Sequence, residues 1–165
     1  MTVGSAAPFK DILVYLDGSE GSMNALMYSI LLAKSIKAEL HARYVVNTKA
    51  LGDLVKSHIF IDQEKAEYLD DLKKDASRHL RHAEKLASSK DYDITVSSVE
   101  GSPHQEVMNY IKANGIDLLM LGSVNAIRSR REEMTSENDR MLRTSPCPVL
   151  VVRDDDEIWN RFEEV

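Results

Sequence analysis

A single cysteine is all this chain carries, so no internal disulfide can form, which fits a reducing compartment. That residue, Cys147, lies between Pro146 and Pro148 at the head of an apolar run, where a buried structural thiol is expected. Glycine and proline are also scarce, seven and four among 165 residues, and this excludes a linker or a low-complexity tract. Basic residues are too few for a nucleic-acid binder: Lys and Arg number 21 against 27 Asp and Glu, a net charge of −6. The opening MTVGSAAPFK has no apolar signal core, and no apolar run is long enough to span a bilayer. A cytoplasmic protein without membrane insertion is expected.

What remains is enough for one globular domain, with 43% of residues hydrophobic. Ile12–Leu16 reads as a short strand that ends at the turn Asp17-Gly18-Ser19. A helix from Glu20 to about Ile36 carries Leu26, Ile30 and Ala33 at helical spacing. Leu40–Val46 is a second strand, closed by Asn47, and Thr48–Asp62 gives mixed signals. Gln63–Ser88 is a long amphipathic helix with Leu69, Leu72, Ala76, Leu80 and Ala83 on one stripe. Ile94–Val99 is a third strand. Ser102-Pro103-His104-Gln105 then supplies a serine N-cap, proline at the first helical position and glutamine at the third, and Asn114-Gly115 stops that helix. Ile116–Leu121 and Val149–Val152 are the last two strands, with a helix from about Glu137 to Arg143 between them. Strands and helices alternate throughout, and the strands are continuously apolar. The expectation is an α/β fold: a doubly wound, five-stranded parallel sheet covered on both faces.

The segment Ile116–Val152 is the most informative. An apolar strand, a Gly122-Ser123 turn, a polar loop and a short helix follow one another. This places a loop and a helix N-terminus at the carboxyl end of a buried parallel strand, where open α/β sheets bind ligands, phosphates above all.

Catalytic and metal motifs are missing. There is no nucleophile elbow, Walker loop or zinc-helix pattern. His79 and His82 stand three apart on the long helix, but no cysteine or carboxylate set completes a metal site, so both read as solvent-facing members of a charged stripe. His41, His58 and His104 form no constellation. The chain is not expected to be an enzyme or to hold a metal.

Four blocks, ILVYLDGSE, YVVN, EGSPHQEVMNYIKANGIDLLMLGS and SPCPVLVVR, resemble the universal stress protein family in order and spacing, from about Phe9 to Arg153. The resemblance implies a Rossmann-like five-stranded fold, commonly a two-fold homodimer built on the last strand, and no single defined reaction. It divides the chain into a domain over 1–153 and an acidic C-terminal tail over 154–165. Nucleotide-binding members carry a glycine, two residues, a second glycine, nine residues, then glycine followed by serine or threonine. On this chain the positions fall at Gly122, Asn125, Thr135 and Ser136, so two of the three glycines are lost. The resemblance also places Asp17, at the end of the first strand, beside the nucleoside, with Val45 contacting it through its backbone.

Glycine in a phosphate loop permits positive φ and lets backbone N–H groups close on the anion. Asparagine tolerates the left-handed region, so Asn125 is the milder change. Thr135 is β-branched and fills space a phosphate needs. Ser136 is placed to cap the next helix, with Asp139 three residues on, and a cap uses the same hydroxyl as a phosphate ligand would. Asp17-Gly18-Ser19 also reads as a turn and cap. Arg128, Arg130 and Arg131 could clamp phosphates, but Glu132 and Glu133 partly neutralise them, and a solvated loop face is the preferred reading. In the tail, Ile158, Trp159 and Phe162 sit at near-helical spacing and are expected to fold back onto the domain or its dimer mate rather than dock a partner. Two functions follow. One is a non-catalytic stress-response or regulatory module acting through a homodimer and an unidentified protein partner, its nucleotide site degenerate. The alternative is a sensor with ATP or another adenine nucleotide as ligand.

Overall fold

The computed structural model describes residues 7–57, 61–123, 136–153 and 156–164. Its frame is a parallel five-stranded sheet in the order β3-β2-β1-β4-β5. The strands are β1 (Asp11–Leu16), β2 (Glu39–Asn47), β3 (Thr95–Gly101), β4 (Leu118–Gly122) and β5 (Val149–Val152). The helices of the described residues are α1 (Glu20–Ile36), α2 (Thr48–Lys56), α3 (Asp62–Ser88), α4 (Pro103–Asn114), α5 (Glu137–Thr144) and α6 (Ile158–Glu164). The doubly wound α/β expectation is met.

Side chains alternate across a strand, and that alternation sorts the core into two layers. Ile12, Val14, Leu40, Ala42, Leu118 and Met120 face α1 and α3, while Leu13, Tyr15, Val45, Leu119 and Leu121 face α4 and α5. Central β1 is buried along Ile12–Leu16, which is why its sequence is an unbroken apolar run. Helix α5 is short, and Met141 is its one buried residue, fully enclosed in the second layer. The carboxylate of Asp117 receives the N–H groups of Lys10 and Asp11 at 2.9 and 3.0 Å, which ties the start of β1 to the start of β4.

Some local features differ from the sequence reading. The ambiguous stretch opens with α2, whose N-cap Asn47 accepts the Ala50 N–H at 3.0 Å and whose Leu51 is buried. Its signal was weak because the helix is short and carries Gly52. Ser102 occupies the N-cap of α4 but makes no side-chain cap bond, and Gln105 turns to Asn109 at 2.9 Å instead of back to the cap. The tail folds back onto the domain as expected, forming α6, which buries Ile158 and Phe162 against the α1 layer, but Trp159 stays exposed. Arg161 reaches the Tyr28 hydroxyl at 3.4 Å, and the Lys90 ammonium stands 4.7 Å above the Phe162 ring. Among the described residues, no helix is long and apolar enough to cross a membrane.

Candidate functional site

The carboxyl ends of β1 and β4 flank the point where strand order reverses, since β1 leads outward to β2 and β4 lies on its other side. Parallel sheets open a crevice at such a point. On the β1 side, the exposed Asp17 receives the Ser19 N–H on Oδ1 at 2.9 Å. Ser19 then caps α1 by accepting the Ser22 N–H at 3.1 Å. Gly18 turns the chain at φ 82°, a left-handed conformation that glycine adopts without penalty. The turn and cap expected of Asp17-Gly18-Ser19 are both present.

On the β4 side, Gly122 lies against the first turn of α1. A Cβ built on Gly122 would stand 2.5 Å from the carbonyl carbon and oxygen of Gly21. The Gly122 carbonyl also accepts a bond from Asn138 Nδ2 at 3.3 Å, which fastens α5 to the end of β4. Ser136 caps α5 by accepting the Asp139 N–H at 3.3 Å. The next residue, Glu137, accepts the His104 N–H on Oε2 at 2.8 Å, within the first turn of α4. It supplies the N-terminal bond that Ser102 leaves unmade.

Asp17, Gly122 and Ser136 therefore all lie at the carboxyl end of the sheet. Val45 comes level with Asp17, because Leu16 on β1 is aligned with Tyr44 on β2; its side chain is buried in the α4 layer and its partner on β3 is Val99. Asn125 and Thr135 lie outside the described residues, as do Arg128, Arg130, Arg131, Glu132, Glu133 and His58.

Two phenols that the sequence did not single out lie near Asp17, on opposite faces of the sheet. Burial, followed by the charges of Asp17 and Glu137, pushes the Tyr15 hydroxyl far above the ordinary phenol range. Tyr44 is raised by burial and then by Asp17. Both therefore stay neutral and can donate. Tyr44 also lies parallel to His79, with ring centroids 5.7 Å apart and 9° between planes. The same imidazole presses on Gly18, its Nε2 being 2.9 Å from where a Cβ would lie. The solvent-facing reading of His79 is corrected: it is half-buried and braces the turn, while His82 three residues on is exposed. The pattern of charges along α3 hid this, because a shift of three positions, which is less than a full helical turn, decides which histidine meets β2.

His104 is held between helices, its Nε2 2.6 Å from Thr144 Oγ1. Burial and then the nearby Arg140 lower its pKa, against the opposing pull of Glu137. A separate polar group sits at the amino end of the sheet. His41 Nδ1 meets the Tyr110 hydroxyl at 2.8 Å, and its Nε2 is 3.6 Å from Asp11. Arg43 lies 4.5 Å over the Tyr110 ring and donates to Ser97 at 2.9 Å. Each of these contacts joins elements of the fold, among strands β1, β2 and β3 and helix α4. Among the described residues, no three His, Cys, Asp or Glu groups gather where a metal could bind.

A family model described as the universal stress protein family matches residues 8–153. The chain is similar to the universal stress protein YxiE of Bacillus subtilis (strain 168), 32% identical over 152 residues that cover 88% of this chain and 99% of that protein. It is similar in structure to the universal stress protein UspA from Lactobacillus plantarum, with a TM-score of 0.70 at 25% identity, covering 90% of this chain and 100% of the other. A universal stress protein family protein from Arabidopsis thaliana, with AMP bound, has the same fold at 12% identity and a TM-score of 0.64, covering 90% and 94%.

Proposed function

This chain belongs to the universal stress protein family, and from that premise we propose that it is a non-catalytic stress-response or regulatory module. It acts through dimerisation and partner binding, and its nucleotide site holds ATP weakly or not at all. One observation carries the ligand half of this reading. The two motif positions that keep their family residues, Gly122 and Ser136, are fully accounted for by packing and capping. Gly122 admits the backbone of Gly21, and the Ser136 hydroxyl is engaged with Asp139. Neither residue needs a phosphate to explain it, and of the two lost glycines the β-branched Thr135 is the one least able to bring N–H groups onto a phosphate.

The surface supports the association half. Edge strand β5 pairs only with β4 among the described residues and leaves Leu150 and Val151 40% and 41% exposed. An open apolar edge of this kind is stable in water when a second copy covers it. A second reading, an adenine-nucleotide sensor, is favoured by the AMP-bound Arabidopsis relative of the same fold and by the exposed Asp17 beside two neutral phenols. Mass spectrometry of the filtrate from heat-denatured protein separates the two: the module carries no stoichiometric nucleotide, and a sensor with a filled site releases one.

A further inference from the structure

We infer that Tyr110 is a nucleophilic phenol, a modification site that takes an acyl group from an activated acyl donor. Its hydroxyl lies 2.8 Å from His41 Nδ1, and His41 Nε2 stands 3.6 Å from the Asp11 carboxylate. Tyr110 belongs to α4, His41 to β2, and Asp11 opens β1, so only the folded chain assembles the set. Nothing in the spacing of these residues along the sequence announces it. A nucleophile within hydrogen-bond reach of a base, with the base oriented by a third group, is the arrangement that activates a hydroxyl.

The carboxylate settles the roles. A neutral imidazole offers one N–H and one lone pair, and a carboxylate can only accept. Asp11 therefore draws the N–H to Nε2, which leaves the lone pair on Nδ1 to face the phenol. The Tyr110 O–H donates to it. The imidazole is only 16% exposed, so little water competes for Nδ1. Arg43 supplies the matching charge, its guanidinium carbon 4.5 Å from the centre of the Tyr110 ring. One of its nitrogens donates to Ser97 at 2.9 Å, and its Nε is buried without an acceptor. Negative charge that develops on the ring as the proton leaves thus meets a cation already in place. In the reaction the Tyr110 oxygen attacks the acyl carbon and its proton passes to His41 Nδ1. The bond from the acyl carbon to the leaving group breaks, and the leaving group takes the electron pair and then the proton from His41. The product is a phenyl ester on the chain, a single modification rather than a turnover.

The test treats the full chain briefly with N-acetylimidazole and ranks its six tyrosines by peptide mass spectrometry. Tyr68, 43% exposed, is the reference for accessibility, and Tyr110 is the more buried of the two. Access alone would put Tyr110 second. With a base at its hydroxyl it should be acetylated faster than Tyr68, by about tenfold. A wild-type Tyr110 rate equal to or below that of Tyr68 overturns the inference. His41→Gln keeps a polar group beside the phenol and removes the base, so Tyr110 should drop to the Tyr68 rate or lower. Asp11→Asn leaves the imidazole but removes the charge that orients it, and should slow Tyr110 by a smaller factor. A His41→Gln chain that melts cooperatively and still acetylates Tyr110 at the wild-type rate also overturns the inference. The wild-type ratio needs no variant, so a substitution that fails to fold leaves the test intact.

Discussion

Gly122 and Gly21 meet backbone to backbone: the end of β4 and the first turn of α1 approach so closely that a Cβ at position 122 would lie 2.5 Å from Gly21. That contact gives Gly122 a structural duty independent of any ligand. Gly122→Ala should therefore cost about 1–3 kcal/mol or more, by forcing packed backbone apart. Urea denaturation of the ligand-free protein measures it. An unchanged midpoint would mean that the close approach can relax and that Gly122 is not held by packing.

The β5 edge makes a separate prediction. Leu150 and Val151 are exposed on the strand that ends the sheet, and the wild type should run as a dimer in size-exclusion chromatography with light scattering. Leu150→Lys with Val151→Lys should give a folded monomer, because edge lysines oppose strand pairing. A strict wild-type monomer at micromolar concentration contradicts the pairing.

His104 gives a pH dependence with a definite sign. Its pKa is lowered in the folded chain, chiefly by burial. The unfolded chain therefore binds the proton more readily. The contribution of neutral His104 to stability is complete above the unfolded histidine pKa and is lost as pH falls through the folded value. Proton NMR should place its midpoint below that of an unstructured histidine, and a midpoint above it contradicts the assignment.

A rescue tests the motif itself. Asn125→Gly with Thr135→Gly restores the glycines of nucleotide-binding relatives and removes the β-branched side chain. Backbone N–H groups that reach a phosphate contribute about 1.5–3 kcal/mol each. Added glycine loosens the unfolded chain, at a cost of about 1 kcal/mol. The expected signature is a lower melting temperature alone and a clear rise with ATP. No rise with ATP in a folded double variant would locate the block elsewhere, with the nucleoside end near Asp17 and Val45 the next place to look.

The sequence made the sheet legible because each buried strand is a short apolar run and each turn is marked. Gly115, at φ 61°, stops α4 where Asn114-Gly115 said it would. Cap chemistry was harder to read. Ser102 looked like a capping serine, yet the N–H it would have served goes to Glu137, 33 residues further along the chain. No local pattern encodes a cap supplied by another helix. Tyr44 and His79 were missed for the same reason, since their stacking depends on how α3 lies over β2. The capping roles of Ser136 and of the Asp17-Gly18-Ser19 turn were legible in the sequence, whereas the packing of Gly122 against Gly21 emerged only in three dimensions.

Titration calorimetry of nucleotide-free protein with magnesium-ATP tests the central claim most directly. The account predicts weak or undetectable binding, with a Kd above about 10 μM, or less than roughly −7 kcal/mol in magnitude. A Kd below that value would contradict it and make this chain an ATP-binding sensor despite its two missing glycines.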